Sequence, residues 1–289
     1  MNTINIAAYR FVSLVGLTDL RVSLKEKCLA LELKGTILLA PEGINLFVAG
    51  SAKNVESFIA FLTADRRFAG MVFKKSPSVG PPFKRTLVKI KREIIPLGMP
   101  DVSPAEHPAP SVSAETLKQW LDEGRDLALL DVRNEYEVGL GTFNNSLHLA
   151  LDTFRAFPEE ANKLDPSLKN KVVVTFCTGG IRCEKAAPVL LNAGFREVYQ
   201  LSGGILKYFE EAGGAHYRGD CFVFDRRVAL NPMLEESGTV QCYNCLSPVS
   251  REEQGSPHYA PDISCPHCIS GKPVKKLATL LEQRAYGGG

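Results

Sequence analysis

The sequence predicts an α/β protein in three parts: an N-terminal α+β domain of ferredoxin-like order over residues 1–95, a central domain on a parallel sheet over 113–219, and a small C-terminal four-cysteine zinc module over 220–289. Three observations carry this. Short apolar runs alternate with two amphipathic stretches in the first part, strand patterns alternate with helical ones in the second, and two Cys-x-x-Cys pairs stand in a Pro- and Ser-rich third. At 289 residues and 45% apolar content the chain can build more than one packed core.

In the first part the runs "INIAAYRFV", "GTILLA", "INLFVAG" and "MVFKK" are strands, and the stretches 18–33 and 52–65 are helices, so the order reads β-α-β-β-α-β. Residues 96–112 contain five prolines and little apolar periodicity, which predicts a semi-rigid linker. The central part then reads helix "SAETLKQWLDEG", strands "LALLDV" and "SLHLAL", a polar helical stretch, strand "KVVVTF", helix "EKAAPVLLNAG", strand "VYQL" and helix "GILKYFEEAG". That rhythm suits a parallel sheet covered on both faces.

Composition narrows the function. The N-terminus lacks a basic stretch followed by a clean apolar core, and no apolar run approaches the ~18 residues that cross a bilayer, so the expectation is a cytoplasmic protein with no membrane partner. Eight cysteines are too sparse for a secreted disulfide scaffold, and grouped cysteines in a reducing compartment bind metal or do chemistry. A net charge of +2 carries no overall signal for nucleic acid, so that argument needs local clustering.

The stretch "TFCTGGIRCEK" (175–185) is the chemical focus. It joins the carboxyl end of a buried strand to the amino end of a helix, and its Gly-rich turn points backbone N–H groups inward. The helix dipole and Arg182 add positive potential, which lowers a thiol's pKa, so Cys177 is the candidate nucleophile. Cys177 could instead be an ordinary buried thiol, although burial does not need two glycines and an arginine in one turn. Cys183 either resolves an oxidised Cys177 as a disulfide or packs. From Cys177 to Arg182 the loop spans six residues, one fewer than the phosphate loop of protein tyrosine phosphatases, and a tighter ring suits a sulfur-based anion. Asp131 and Arg133, at the end of "LLDV", are read as an internal ion pair bracing this loop, with a catalytic role as the alternative.

Cys242 and Cys245 form one Cys-x-x-Cys and Cys265 and Cys268 another, nineteen residues apart, the spacing of a tetrahedral four-cysteine site holding one structural zinc per chain. Redox dithiols, or two loose pairs that never meet, are the alternatives, but neither pair opens a helix after a strand as a thioredoxin-type dithiol does. His258 and His267 are spare donors. Residues 73–93 carry seven Lys/Arg against one Glu, with Lys74, Lys75, Lys84, Arg85, Lys89 and Lys91 as candidate RNA-phosphate contacts. A solvated edge strand protected by lysines is the competing reading.

With "LLDVRNEYEVG", "NSLHLAL" and "CTGGIRCEKAA", residues 113–215 resemble a rhodanese domain. Together with "APEGIN" (40–45), "FKRTLVKIKREIIPLG" (83–98) and "HYRGDCFVFDRRV" (216–228), nearly the whole chain resembles the rhodanese-containing tRNA uridine hydroxylase family. The resemblance implies oxidation of the wobble uridine 34 of tRNA to 5-hydroxyuridine with molecular oxygen as co-substrate, Cys177 being the essential cysteine and the carrier of a persulfide or other reactive sulfur. No flavin, haem or redox-metal motif is evident, so no organic cofactor is expected. A persulfide sulfurtransferase acting on tRNA or a small acceptor would use the same loop, and a non-catalytic RNA-binding module would not need it.

Overall fold

The computed structural model describes residues 3–78, 80, 82–261 and 263–269. It divides into two compact units, Met1–His107 and Pro108–Gly289.

The first unit is a five-stranded sheet bearing two helices. In chain order it has β1 (Thr3–Phe11), α1 (Leu17–Ala30), β2 (Lys34–Ala40), β3 (Gly43–Gly50), α2 (Ala52–Thr63), β4 (Lys74–Ser78) and β5 (Thr86–Ile90). The sheet order is β4-β1-β3-β2-β5, with β5 parallel to β2 and every other pairing antiparallel. The first six elements have the predicted β-α-β-β-α-β order, and the fifth strand grows from the basic segment. The fourth strand starts later than "MVFKK" suggests: pairing with β1 begins at Lys74, while Met71 goes into the core. Val55, Phe58 and Leu62 recur at i, i+3 and i+7 and put one face of α2 onto Ile6, Leu46 and Val48 of the sheet's core. Ser51 caps that helix by accepting the Asn54 N–H at 3.2 Å.

The Pro-rich segment has no helix or strand before Ser111, yet its start is pinned to the first unit. Ile94 is buried, its N–H donates to Glu42 Oε1 at 2.7 Å, and Glu93 accepts the N–H groups of Leu97 and Gly98.

The second unit begins with β6 (Ser111–Val112), α3 (Ala114–Asp122), β7 (Leu127–Asp131), α4 (Glu135–Val138), β8 (Gly141–Phe143), β9 (Leu147–His148) and α5 (Phe157–Ala161). It continues with β10 (Val172–Phe176), α6 (Ile181–Asn192), β11 (Glu197–Leu201) and α7 (Gly204–Ala212). These build a parallel sheet of order β6-β11-β10-β7-β9 with β10 at its centre, as the apolar run "KVVVTF" predicts. "SLHLAL" keeps only two residues in β9, because only Leu147 and His148 reach β7 at the sheet edge.

After α7 the same unit holds three short hairpin pieces: β12 (Tyr217–Gly219) on β8, β13 (Cys221–Phe222) on β14 (Ala229–Leu230), and β15 (Val240–Gln241) on β16 (Pro248–Val249). The last described helix is α8 (Pro266–Ile269). Among the described residues no helix is long and apolar enough to cross a membrane.

Candidate active site and metal centre

Cys177 follows β10 directly, and α6 begins at Ile181, so the loop crosses from strand to helix in four residues. Helix α6 starts earlier than "EKAAPVLLNAG" suggests, which puts Arg182 and Cys183 in its first turn. Gly180 makes this possible: its φ of 98° lies where only glycine sits without strain, and it turns its N–H onto Cys177 Sγ at 3.1 Å. A second glycine acts from α7. Gly204 has φ +67°, and a Cβ there would stand 2.4 Å from the Cys177 carbonyl oxygen and 2.7 Å from the Gly180 nitrogen. That close approach lets the Ile205 and Leu206 N–H groups hold the carbonyls of Cys177 (2.9 Å) and Thr178 (3.2 Å). With these carbonyls anchored on α7, the loop's own N–H groups are left to face the sulfur.

Cys177 is fully buried, and burial alone would push its thiol up. Donation from the Cys183 thiol, the Arg182 charge and the backbone N–H groups of Arg182 and Gly179 outweigh that, holding Cys177 well below the ordinary thiol value. Burial pushes Cys28 up to about 12, and it pushes Cys221 up to about 12 as well, although the Arg133 charge and the Thr178 hydroxyl pull that thiol the other way. Cys183 is driven up, by burial first and then by the neighbouring Cys177. One thiol of the pair is therefore poised as the anion and the other as its proton donor.

Arg182 is itself engaged. Its Nη1 and Nη2 donate to Glu137 Oε2 and Oε1 at 2.6 and 2.7 Å, both side chains being buried. Thr178 Oγ1 donates to Glu137 Oε1 at 3.2 Å, so one carboxylate ties the loop at both ends. Glu137 was not singled out from the sequence; it lies in the quoted "RNEYEVG", but nothing in its spacing reveals a partner 45 residues away. Asp131 and Arg133 form the internal pair, wholly buried, at 2.6 Å between Nη2 and Oδ2. Thr142 Oγ1 donates to Asp131 at 2.8 Å, and Val132 N–H meets the Phe176 carbonyl one residue before Cys177.

The four cysteines of the two pairs converge although Cys265 lies 20 positions beyond Cys245: their Sγ atoms all lie within 4.8 Å of one another. The separations Cys242–Cys268, Cys245–Cys265 and Cys265–Cys268 are 3.6, 3.5 and 3.7 Å, and all four are free thiols. A tetrahedron with a metal–sulfur bond of about 2.3 Å has edges of about 3.8 Å, so the set fits a four-coordinate metal ion. His258 and His267 stand outside it, and His267 Nε2 is instead 2.9 Å from Glu253.

The structure separates the basic candidates. Lys74 and Lys75 lie on β4, and Lys89 lies on β5 at the opposite edge of the sheet. Lys84, Arg85 and Lys91, all exposed, flank β5. Four strand spacings put the two groups roughly 19 Å apart, so they do not form one stripe. Lys75 also pairs with Glu56 at 2.5 Å.

A cysteine at the carboxyl end of the central strand of a parallel sheet, opening a six-residue stretch that runs into the first turn of a helix, defines a rhodanese-like domain. Residues 113–211 match the family model of that description, and residues 3–94 match a UPF0176 acylphosphatase like domain. A tRNA uridine(34) hydroxylase of Cupriavidus taiwanensis is 53% identical over 277 residues, 94% of this chain and 98% of that one. Another, of Burkholderia thailandensis, is 52% identical over 282 residues, 94% of this chain and 95% of that one. Among solved structures, a rhodanese-like domain protein from Staphylococcus aureus aligns with a TM-score of 0.30 at 24% identity, over 34% of this chain and 90% of that one. The chain belongs to the tRNA uridine(34) hydroxylase family.

Proposed function

We propose that this enzyme oxidises uridine 34 of tRNA to 5-hydroxyuridine with molecular oxygen as co-substrate, and that Cys177 is its reactive centre. The observation that carries the assignment is the geometry at Cys177, whose buried sulfur accepts the Gly180 N–H at 3.1 Å just before α6, where the Cys183 thiol and the Arg182 charge favour its anionic form. Family membership over nearly the full chain supports the substrate.

In this reading the loop amides and the α6 N-terminus stabilise negative charge on sulfur, Arg182 braced by Glu137 keeps the loop's shape, and Cys183 serves as the resolving thiol. If Cys177 passes through a sulfenic acid, attack by the Cys183 sulfur on the Cys177 sulfur forms the disulfide and releases the hydroxyl oxygen as water. The four-cysteine set holds one zinc. With four thiolates it is coordinatively closed and supplies fold stability, leaving Cys242, Cys245, Cys265 and Cys268 outside the chemistry. Lys84, Arg85, Lys89 and Lys91 at the β5 edge, with Lys74 and Lys75 at the β4 edge, contribute phosphate contacts.

The test is mass spectrometry of tRNA nucleosides from cells with the protein, without it, and with Cys177→Ser. Loss of 5-hydroxyuridine and its derivatives in the last two supports the hydroxylase. Loss of thiolated nucleosides would reassign the loop to sulfur transfer to RNA, and no change would end both readings.

A further inference from the structure

We propose that Tyr136 and Phe224 form the platform on which the target base stacks when it is drawn out of the anticodon loop; this rests on the tRNA reading above. Chemistry on a base requires it to leave its stack, and such bases are received on aromatic rings or guanidinium planes.

Three rings meet beside the loop. Phe222 is buried and meets Tyr136 edge-to-face at 5.2 Å and Phe224 at 5.1 Å, both at 82°. Tyr136 and Phe224 are each half-buried, so they keep part of their surface in solvent while Phe222 supports them from within. Both lie next to residues that hold the loop. The Arg182 guanidinium lies 5.7 Å from the Phe224 ring centre, and Tyr136 immediately precedes Glu137, the partner of Arg182.

The segment bearing Phe224 is rigid. Asp225 accepts the Arg227 backbone N–H at 3.0 Å and its Nε and Nη2 at 2.9 and 2.6 Å. The N–H of Val223 meets the Val228 carbonyl at 2.9 Å, closing the turn. Thr178 Oγ1, inside the loop, donates to the Phe222 carbonyl at 3.3 Å and ties this turn to Cys177's neighbour. The stretch "CFVFDRR" thus fixes Phe224 beside Arg182 of the loop, and its Phe222 supports Tyr136 from within. A flat nucleobase is the ligand that such rings take, and they hold it without choosing its identity.

The experiment uses the full-length protein and two anticodon stem-loop RNAs, one with uridine 34 and one abasic at that position. The wild type should prefer the uridine RNA by roughly 5- to 150-fold, the contribution of one stacked base. Phe224→Leu and Tyr136→Leu should each cut that preference several-fold, while Phe224→Tyr and Tyr136→Phe keep it. Unchanged affinity of all variants for the abasic RNA shows that they are folded. Leu variants that retain the wild-type preference overturn the platform. Nucleoside analysis separates this from failure of the underlying reading: 5-hydroxyuridine still lost with Cys177→Ser leaves the hydroxylase standing while the platform falls.

Discussion

Arg182 and Glu137 form a two-pronged buried ion pair, at 2.6 and 2.7 Å, at the end of the loop that begins with Cys177. Arg182 is therefore one half of a compensated pair, and its effect on Cys177 depends on where Glu137 holds it.

Breaking this pair from one side should be costly. Glu137→Gln leaves a buried guanidinium without its counter-charge, and we expect a loss of about 3–5 kcal/mol by urea unfolding. Glu137→Asp should recover part of it. A loss under about 1 kcal/mol for Glu137→Gln would show that Arg182 finds other compensation.

The Cys177 thiolate should form well below the ~8.5 of a free thiol, read from ultraviolet thiolate absorbance as the difference between wild type and Cys177→Ser. Arg182→Met removes a nearby positive charge and should move the midpoint up. Because the folded-state pKa is the lower one, the thiolate's stabilisation is complete above the unfolded value of ~8.5 and is lost as pH falls through the folded midpoint. Wild type should accordingly lose more stability than Cys177→Ser over that interval, and parallel pH profiles would sink the assignment.

Gly204→Ala tests the close approach of α7 to the loop. The left-handed backbone alone costs about 1–2 kcal/mol for a residue with a Cβ, and the new carbon would collide with backbone atoms of Cys177 and Gly180 that cannot swing away. We expect a larger total loss and an upward shift of the Cys177 midpoint as the loop amides move. Wild-type thermal stability and midpoint together would mean that the loop does not depend on this contact.

Purified protein should contain about one zinc per chain, and Cys242→Ser with Cys265→Ser should remove it. Elemental analysis reads the first statement and protease sensitivity of the segment after Gly238 reads the loss of its staple. Unchanged metal content in the double variant would refute the site.

The two basic groups can be separated by salt. Replacing Lys84, Arg85 and Lys91 with Ala should weaken tRNA binding and flatten its salt dependence by up to about 0.9 per lost phosphate contact on duplex. Lys74→Ala with Lys75→Ala should change the slope less, since Lys75 already pairs with Glu56. Identical slopes in all proteins would assign both edges to solvation.

Local signals determined much of this protein by themselves. Apolar periodicity marked both helices and the first three strands of the first unit, "KVVVTF" marked the central strand of the second, and the Cys-Thr-Gly-Gly-Ile-Arg spacing marked the loop after it, because each depends on neighbours within a few residues. The Cys-x-x-Cys spacing likewise pointed to a four-sulfur cluster, since each pair is a local knuckle. Tertiary structure alone decided what meets across long separations. It gave Glu137 to Arg182 45 residues away, brought Gly204 against the Cys177 carbonyl, and set Phe222 to support Tyr136 and Phe224. It also divided the basic stripe, continuous along the chain, between opposite edges of a sheet. The physical reason is the same throughout: strand order and helix packing choose partners by burying apolar faces, and the charged and aromatic groups meet wherever that packing carries them.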